Sequence, residues 1–128
     1  MFKYSVIARK NPITKESLYY ANLAPVNPIG LNELAEDISN SCTLTVHDIK
    51  GVISALEESI FKTLRNGQSA RLGDLGSFHA TISSSGAATE EEFSKENLRG
   101  VKVRFVPSSK MRYEMSMNNP YVKFSRQG

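Results

Sequence analysis

Residues 45–67 carry the strongest structural instruction in the chain. Val46, Ile49, Val52, Ile53, Leu56, Ile60, Phe61 and Leu64 recur at helical spacing over about 21 residues. Thr45 is placed to cap the start, and Asp48, three residues on, complements the exposed amides and the helix dipole. Asn66-Gly67 closes the segment, with Gly as the expected left-handed cap. A stripe this wide and long needs a second apolar surface to cover it. Just upstream, Leu31, Leu34, Ala35 and Ile38 predict a shorter helix over residues 31–41, with acids on its other side. The two segments form a helix–turn–helix-like pair.

After Gly67 the period changes from helix to strand. Ser69-Ala70-Arg71-Leu72 reads as a short strand, and Gly73-Asp74-Leu75-Gly76 as a turn. Phe78, Ala80 and Ile82 alternate with His79, Thr81 and Ser83; Val101, Val103 and Phe105 alternate with Lys102, Arg104 and Val106. Residues 84–98 between them are small, polar and acidic, so the simplest picture is an antiparallel pair whose far end projects as a flexible arm. Pro107 closes the second strand, and Ser108 or Ser109 can cap a short helix to about Met115. After the break at Asn118-Asn119-Pro120, Tyr121-Val122-Lys123-Phe124 reads as a last strand. At the other end, residues 2–9 and 18–24 predict two strands joined by a turn at Asn11-Pro12, ended by Pro25 and Pro28. The predicted order is ββ-αα-βββ-α-β, an α+β fold in a single domain without repeats or a dividing linker.

With 128 residues, 40% of them hydrophobic and 23% charged, the chain fits one globular domain with a modest core. No apolar run approaches the roughly 18–20 residues that span a bilayer. The stretch Met1–Lys10 is cut short by Arg9 and Lys10 and does not read as a secretory signal. Cys42 is the single cysteine, so no intrachain disulfide forms. The expectation is a cytoplasmic protein.

The net charge of +3 hides a strong polarity. Residues 99–128 hold seven Lys and Arg against Glu114 alone, whereas residues 32–60 hold six acids against Lys50. A chain polarised in this way can show a basic face to a polyanion while another face stays acidic. Charge alone equally fits a solvated surface.

Catalytic chemistry has no foothold. Gly73–Gly76 lacks the glycines and the lysine of a phosphate loop. His47 and His79 lie in separate elements and only one cysteine exists, so no metal or cofactor site is expected. Cys42, between the helices, reads as a small buried residue and not as a nucleophile. His79, on the polar side of a strand, reads as a surface residue. Glu90-Glu91-Glu92 sits in a solvated loop, a poor place to perturb a carboxylate.

At Leu72-Gly73-Asp74-Leu75-Gly76-Ser77-Phe78 the chain resembles the HU and integration host factor family of bacterial histone-like proteins. A second landmark of that family, an aromatic-x-Pro-Gly-Lys segment opening a helix, is similar to Phe105-Val106-Pro107-Ser108-Ser109-Lys110. The likeness covers roughly residues 30–115. It implies an HU-like core there, with an arm at about 83–100, flanked by a β-hairpin extension over 1–29 and a C-terminal strand and tail over 116–128. The flanking pieces look like those of a longer, HU-related subgroup. The resemblance further implies an intertwined homodimer whose arms reach around double-stranded DNA in the nucleoid and bend it through the minor groove. It carries no small-molecule substrate and no membrane partner. The implied DNA-binding residues are Arg71, Gly76, Ser77, Lys95, Arg99, Lys102, Arg104, Ser108, Ser109, Lys110 and Arg112. Gly76, Ser77, Ser108 and Ser109 would offer backbone amides to phosphate, and the bases would line a groove.

The departures from that family are specific. Its arms carry Arg-Asn-Pro near the tip, where the proline wedges between bases. Here residues 84–98 contain no proline and do contain Glu90-Glu91-Glu92. If any side chain intercalates it is Phe93 or Leu98, though packing within the arm suits both better. Ser109 stands where the helix-opening lysine is usual, with Lys110 next to it. Two functions therefore compete. One is a dimeric architectural protein that binds duplex DNA largely without sequence preference. The other is an assembly module that keeps the fold and uses its acidic arm and edge strands for protein partners.

Overall fold

Thr45 opens the long helix as its sequence requires. Its hydroxyl accepts the Asp48 N–H at 3.2 Å, while the Asp48 carboxylate accepts from the Thr45 N–H and hydroxyl. In the computed structural model, which describes residues 1–127, this cap starts α2 (Val46–Arg65). Gly67, at φ 78°, ends it in the left-handed conformation. The shorter α1 (Leu31–Asn40) has no capping side chain of its own at Gly30; Glu33 folds back to accept the Gly30 N–H at 2.6 Å. The chain forms two compact units, Gly30–Arg112 and Met1–Ile29 with the residues from Tyr113 onward.

In the larger unit, β3 (Ala70–Arg71), β4 (Gly76–Ser84) and β5 (Leu98–Pro107) make an antiparallel sheet in that order. The β4–β5 ladder runs from Gly76↔Pro107 to Ser84↔Leu98. Phe78↔Phe105, Ala80↔Val103 and Ile82↔Val101 share one face, with the two Phe rings 5.1 Å apart. Ser77, His79, Thr81 and Ser83 share the other with Val106, Arg104, Lys102 and Gly100. A register shift between Ser83 and Ser84 leaves Arg99 without a partner and returns Leu98 to the apolar face. Leu98 therefore continues the apolar row of the ribbon.

Within residues 84–98, expected to project as a flexible arm, hydrogen-bonded turns form at Glu90–Phe93 and Ser94–Asn97, while residues 85–87 carry no regular structure. Ser85 N–H donates to the Asn97 carbonyl at 2.8 Å, and Asn97 Nδ2 donates to Ser85 Oγ at 3.0 Å. Phe93 N–H closes a turn on the Glu90 carbonyl, and Asn97 Oδ1 accepts the Ser94 N–H. A short 3₁₀ turn, Lys95–Asn97, leads back into β5.

The smaller unit is a second three-stranded sheet. β1 (Phe2–Lys10) pairs antiparallel with β2 (Ser17–Leu23) and parallel with β6 (Phe124–Arg126). The stacked rings of Phe2 and Phe124, 5.5 Å apart, fasten β6 to the sheet. The last strand thus lies later than the expected Tyr121–Phe124. The cause is Asn119, which is buried. Its amide donates to the Glu114 carbonyl and carboxylate and its Oδ1 accepts the Tyr121 N–H, so residues up to Val122 are held in turns. Position 128, the end of the expected tail, lies outside the described residues.

Cys42 corrects a second expectation. It is exposed, because the link from α1 to α2 runs over the surface and nothing in the chain covers it. The helix pair is open more generally. Ala35 and Ile49 are the only fully buried apolar side chains among the described residues. Val52 and Leu56 on the α2 stripe remain 61% and 44% exposed.

Candidate nucleic-acid interface

Strand alternation decides which of the expected binding residues lie on one face. In β4, odd-numbered residues point to one side, and each cross-strand partner shares that side. Arg71 stands opposite Ser77, Arg104 opposite His79, and Lys102 opposite Thr81. Three cations therefore share one face of the sheet. Lys102 and Arg104 are about 7 Å apart along β5, as any i, i+2 pair in a strand is. Strands β3, β4 and β5 contain no Asp or Glu. Ser77, Thr81 and Ser83 share this face with the cations, leaving an acid-free, basic strip.

The strip has an organised centre that the sequence reading passed over. Ser69 Oγ lies 2.9 Å from His79 Nδ1, and Ser77 Oγ lies 3.1 Å from His79 Nε2. His79 is half-buried and fixed at both ring nitrogens. Its spacing in the polar set of β4 was the available signal; the partnership with Ser69, ten residues away, needed the β3–β4 pairing.

The remaining expected residues lie elsewhere. Gly76 is buried in the ladder, and a Cβ there would collide with the Val106 carbonyl oxygen and the Phe105 ring. Ser108 caps α3 (Ser109–Glu114): its Oγ accepts the Met111 N–H at 3.0 Å and its hydroxyl donates to the Asp74 carbonyl. The Ser108 N–H is itself engaged with the Leu75 carbonyl at 3.0 Å, so that amide is not open to phosphate. Lys110 makes a solvent-exposed ion pair with Asp74 at 3.6 Å, a contact of little strength that takes up part of its charge. Ser109 and Arg112 lie on the same short helix. Lys95 lies in the tip beside Glu96, and Arg99 sits at the register shift.

Among the described residues, no group of three or more His, Cys, Asp or Glu is placed to hold a metal ion. No helix among them is long and apolar enough to cross a membrane.

The pair of helices is thus followed by a two-stranded ribbon with one apolar and one basic face. Residues 1–120 match the family described as "HU domain fused to wHTH, Ig, or Glycine-rich motif". The chain belongs to the HU-HIG family. Its fold is HU-like, not that of an enzyme class. This HU-HIG domain is similar to a candidate DNA-binding protein of Bacteroides vulgatus, at 14% identity and a TM-score of 0.69. That match covers 99% of this chain and 48% of the other, so the domain spans about half the length of that relative. It is also similar to Anabaena HU, solved with DNA, at 16% identity and a TM-score of 0.55 over 70% of this chain and 99% of HU. No curated protein sequence matches it. The HU-HIG match spans residues 1–120 and so takes in the N-terminal hairpin.

Proposed function

We propose that this HU-HIG domain is a dimeric architectural protein that binds duplex DNA largely without sequence preference, acting on DNA in the cytoplasm. The acid-free strip of Arg71, Lys102 and Arg104 carries this reading, because three exposed cations on one sheet face suit a row of phosphates. The HU-like fold and an HU solved with DNA support it.

Dimerisation is supported by the open α2 stripe. Two fully buried apolar side chains among the described residues are a small core to set against the conformational entropy of folding, which favours burial against a second copy. The apolar face of the ribbon, where Ile82 is 73% exposed, asks for the same cover. The ribbon then acts as an arm along the duplex. With Glu90-Glu91-Glu92 at its tip and no proline, it follows the backbone without wedging bases apart, so any bend is shallow.

Replacing Arg71, Lys102 and Arg104 together by Ala tests the reading by fluorescence anisotropy on a labelled duplex. At least a tenfold loss of affinity with the oligomer intact supports it; unchanged affinity refutes it. The hydrogen-bonded acidic tip favours a second reading, an assembly module for protein partners. That reading predicts no DNA binding by the unmodified protein at low salt.

A further inference from the structure

We propose that His79 takes up a proton when DNA binds, which makes the affinity of the basic strip for duplex DNA rise as pH falls below neutrality. The inference rests on the DNA-binding reading and adds a titrating contact to it.

The imidazole is held by two hydroxyls, Ser69 Oγ at Nδ1 and Ser77 Oγ at Nε2. In a neutral ring one nitrogen donates and the other accepts, and in the imidazolium both donate. A serine hydroxyl can play either part. The two bonds therefore hold the ring in one place in both protonation states.

The charged surroundings come from three strands and one helix. Arg104 faces His79 from β5, Lys102 lies one cross-strand pair further out, and Arg71 faces the neighbouring Ser77 from β3. None of these strands supplies an acid. Helix α2 meets the opposite face, where Leu64 and Arg65 border Ala80 and Ile82, so Arg65 lies across the sheet from the imidazole. No side chain on the strip can balance a fourth positive charge. A phosphodiester can. Histidine is the side chain that ordinarily titrates near neutral pH, and an adjacent negative charge favours its protonated form. A phosphate drawn in by Arg71, Lys102 and Arg104 sets a negative charge beside the ring, so binding carries a proton with it.

The test is the dissociation constant for a labelled duplex at fixed salt, measured at about pH 7.5 and about pH 6.0. The unmodified protein should tighten about three- to tenfold at the lower pH. His79→Gln, whose amide can still bridge the two serines, should lose this pH dependence. His47→Gln, which alters the exposed histidine in the first turn of α2, should keep it. A pH response that is absent from the unmodified protein, or unaltered in His79→Gln, overturns the proposal while leaving DNA binding intact. Absence of binding at both pH values defeats the DNA-binding reading itself.

Discussion

Gly76 and Val106 approach so closely that no side-chain carbon fits between them. Gly76 takes φ 150°, a conformation open mainly to glycine, and a Cβ would meet the Val106 carbonyl oxygen. This close approach sits at the foot of the β4–β5 ladder, where the Leu72 N–H also donates to the Gly76 carbonyl at 2.8 Å. Gly76→Ala is expected to cost about 2 kcal/mol or more through backbone strain and the clash. Thermal unfolding checks it; an unchanged melting temperature would refute the assignment.

Asn119 is the single buried polar side chain among the described residues, and its amide holds three neighbouring groups. Asn119→Ala leaves the Tyr121 N–H without its acceptor and is expected to cost about 1–3 kcal/mol. The loss should appear as faster amide exchange at β1 and β6, with the β4–β5 ladder unaffected.

Much of this was legible in the sequence, and the reasons are local. The α2 stripe, the Thr45–Asp48 cap and the Gly67 stop are all written within one segment, and each appears where the pattern puts it. The order of elements followed from the change of period after Gly67. What was not legible depended on pairing. The register shift that strands Arg99 and turns Leu98 to the apolar face has no signature in the alternation of β5. The Ser69–His79–Ser77 arrangement joins residues from two strands, and His79 by itself looked like a surface histidine. The helix-start position of Ser108 suggests an amide open to phosphate, but that N–H is taken by the Leu75 carbonyl, 33 residues away in sequence, which no local pattern encodes. Cys42 looked buried because small apolar residues between helices often are.

The exposed α2 stripe makes oligomeric state a sharp prediction. Leu56→Asp places a charge on the surface proposed to meet a second copy. Sedimentation should show the unmodified protein as a dimer, and the variant as a monomer with reduced helical circular dichroism. A unmodified protein that sediments as a stable, folded monomer contradicts the account.

The acidic tip should oppose DNA through repulsion. Changing Glu90, Glu91 and Glu92 to Gln is expected to raise affinity for duplex DNA about two- to fivefold at low ionic strength, with the gain fading as salt screens it. Anisotropy titrations at two salt concentrations measure this. Weaker binding in the variant would mean that the tip contributes a favourable contact.

The central claim is that the cations on one sheet face bind DNA by neutralising phosphates. The most direct measurement is the dissociation constant for an arbitrary duplex of about 30 base pairs across a salt series. Arg71, Lys102 and Arg104 in each of two copies predict a linear fall of log affinity with log salt, with a slope of about −4 to −6. A slope near zero, or no binding at the lowest salt, would contradict it.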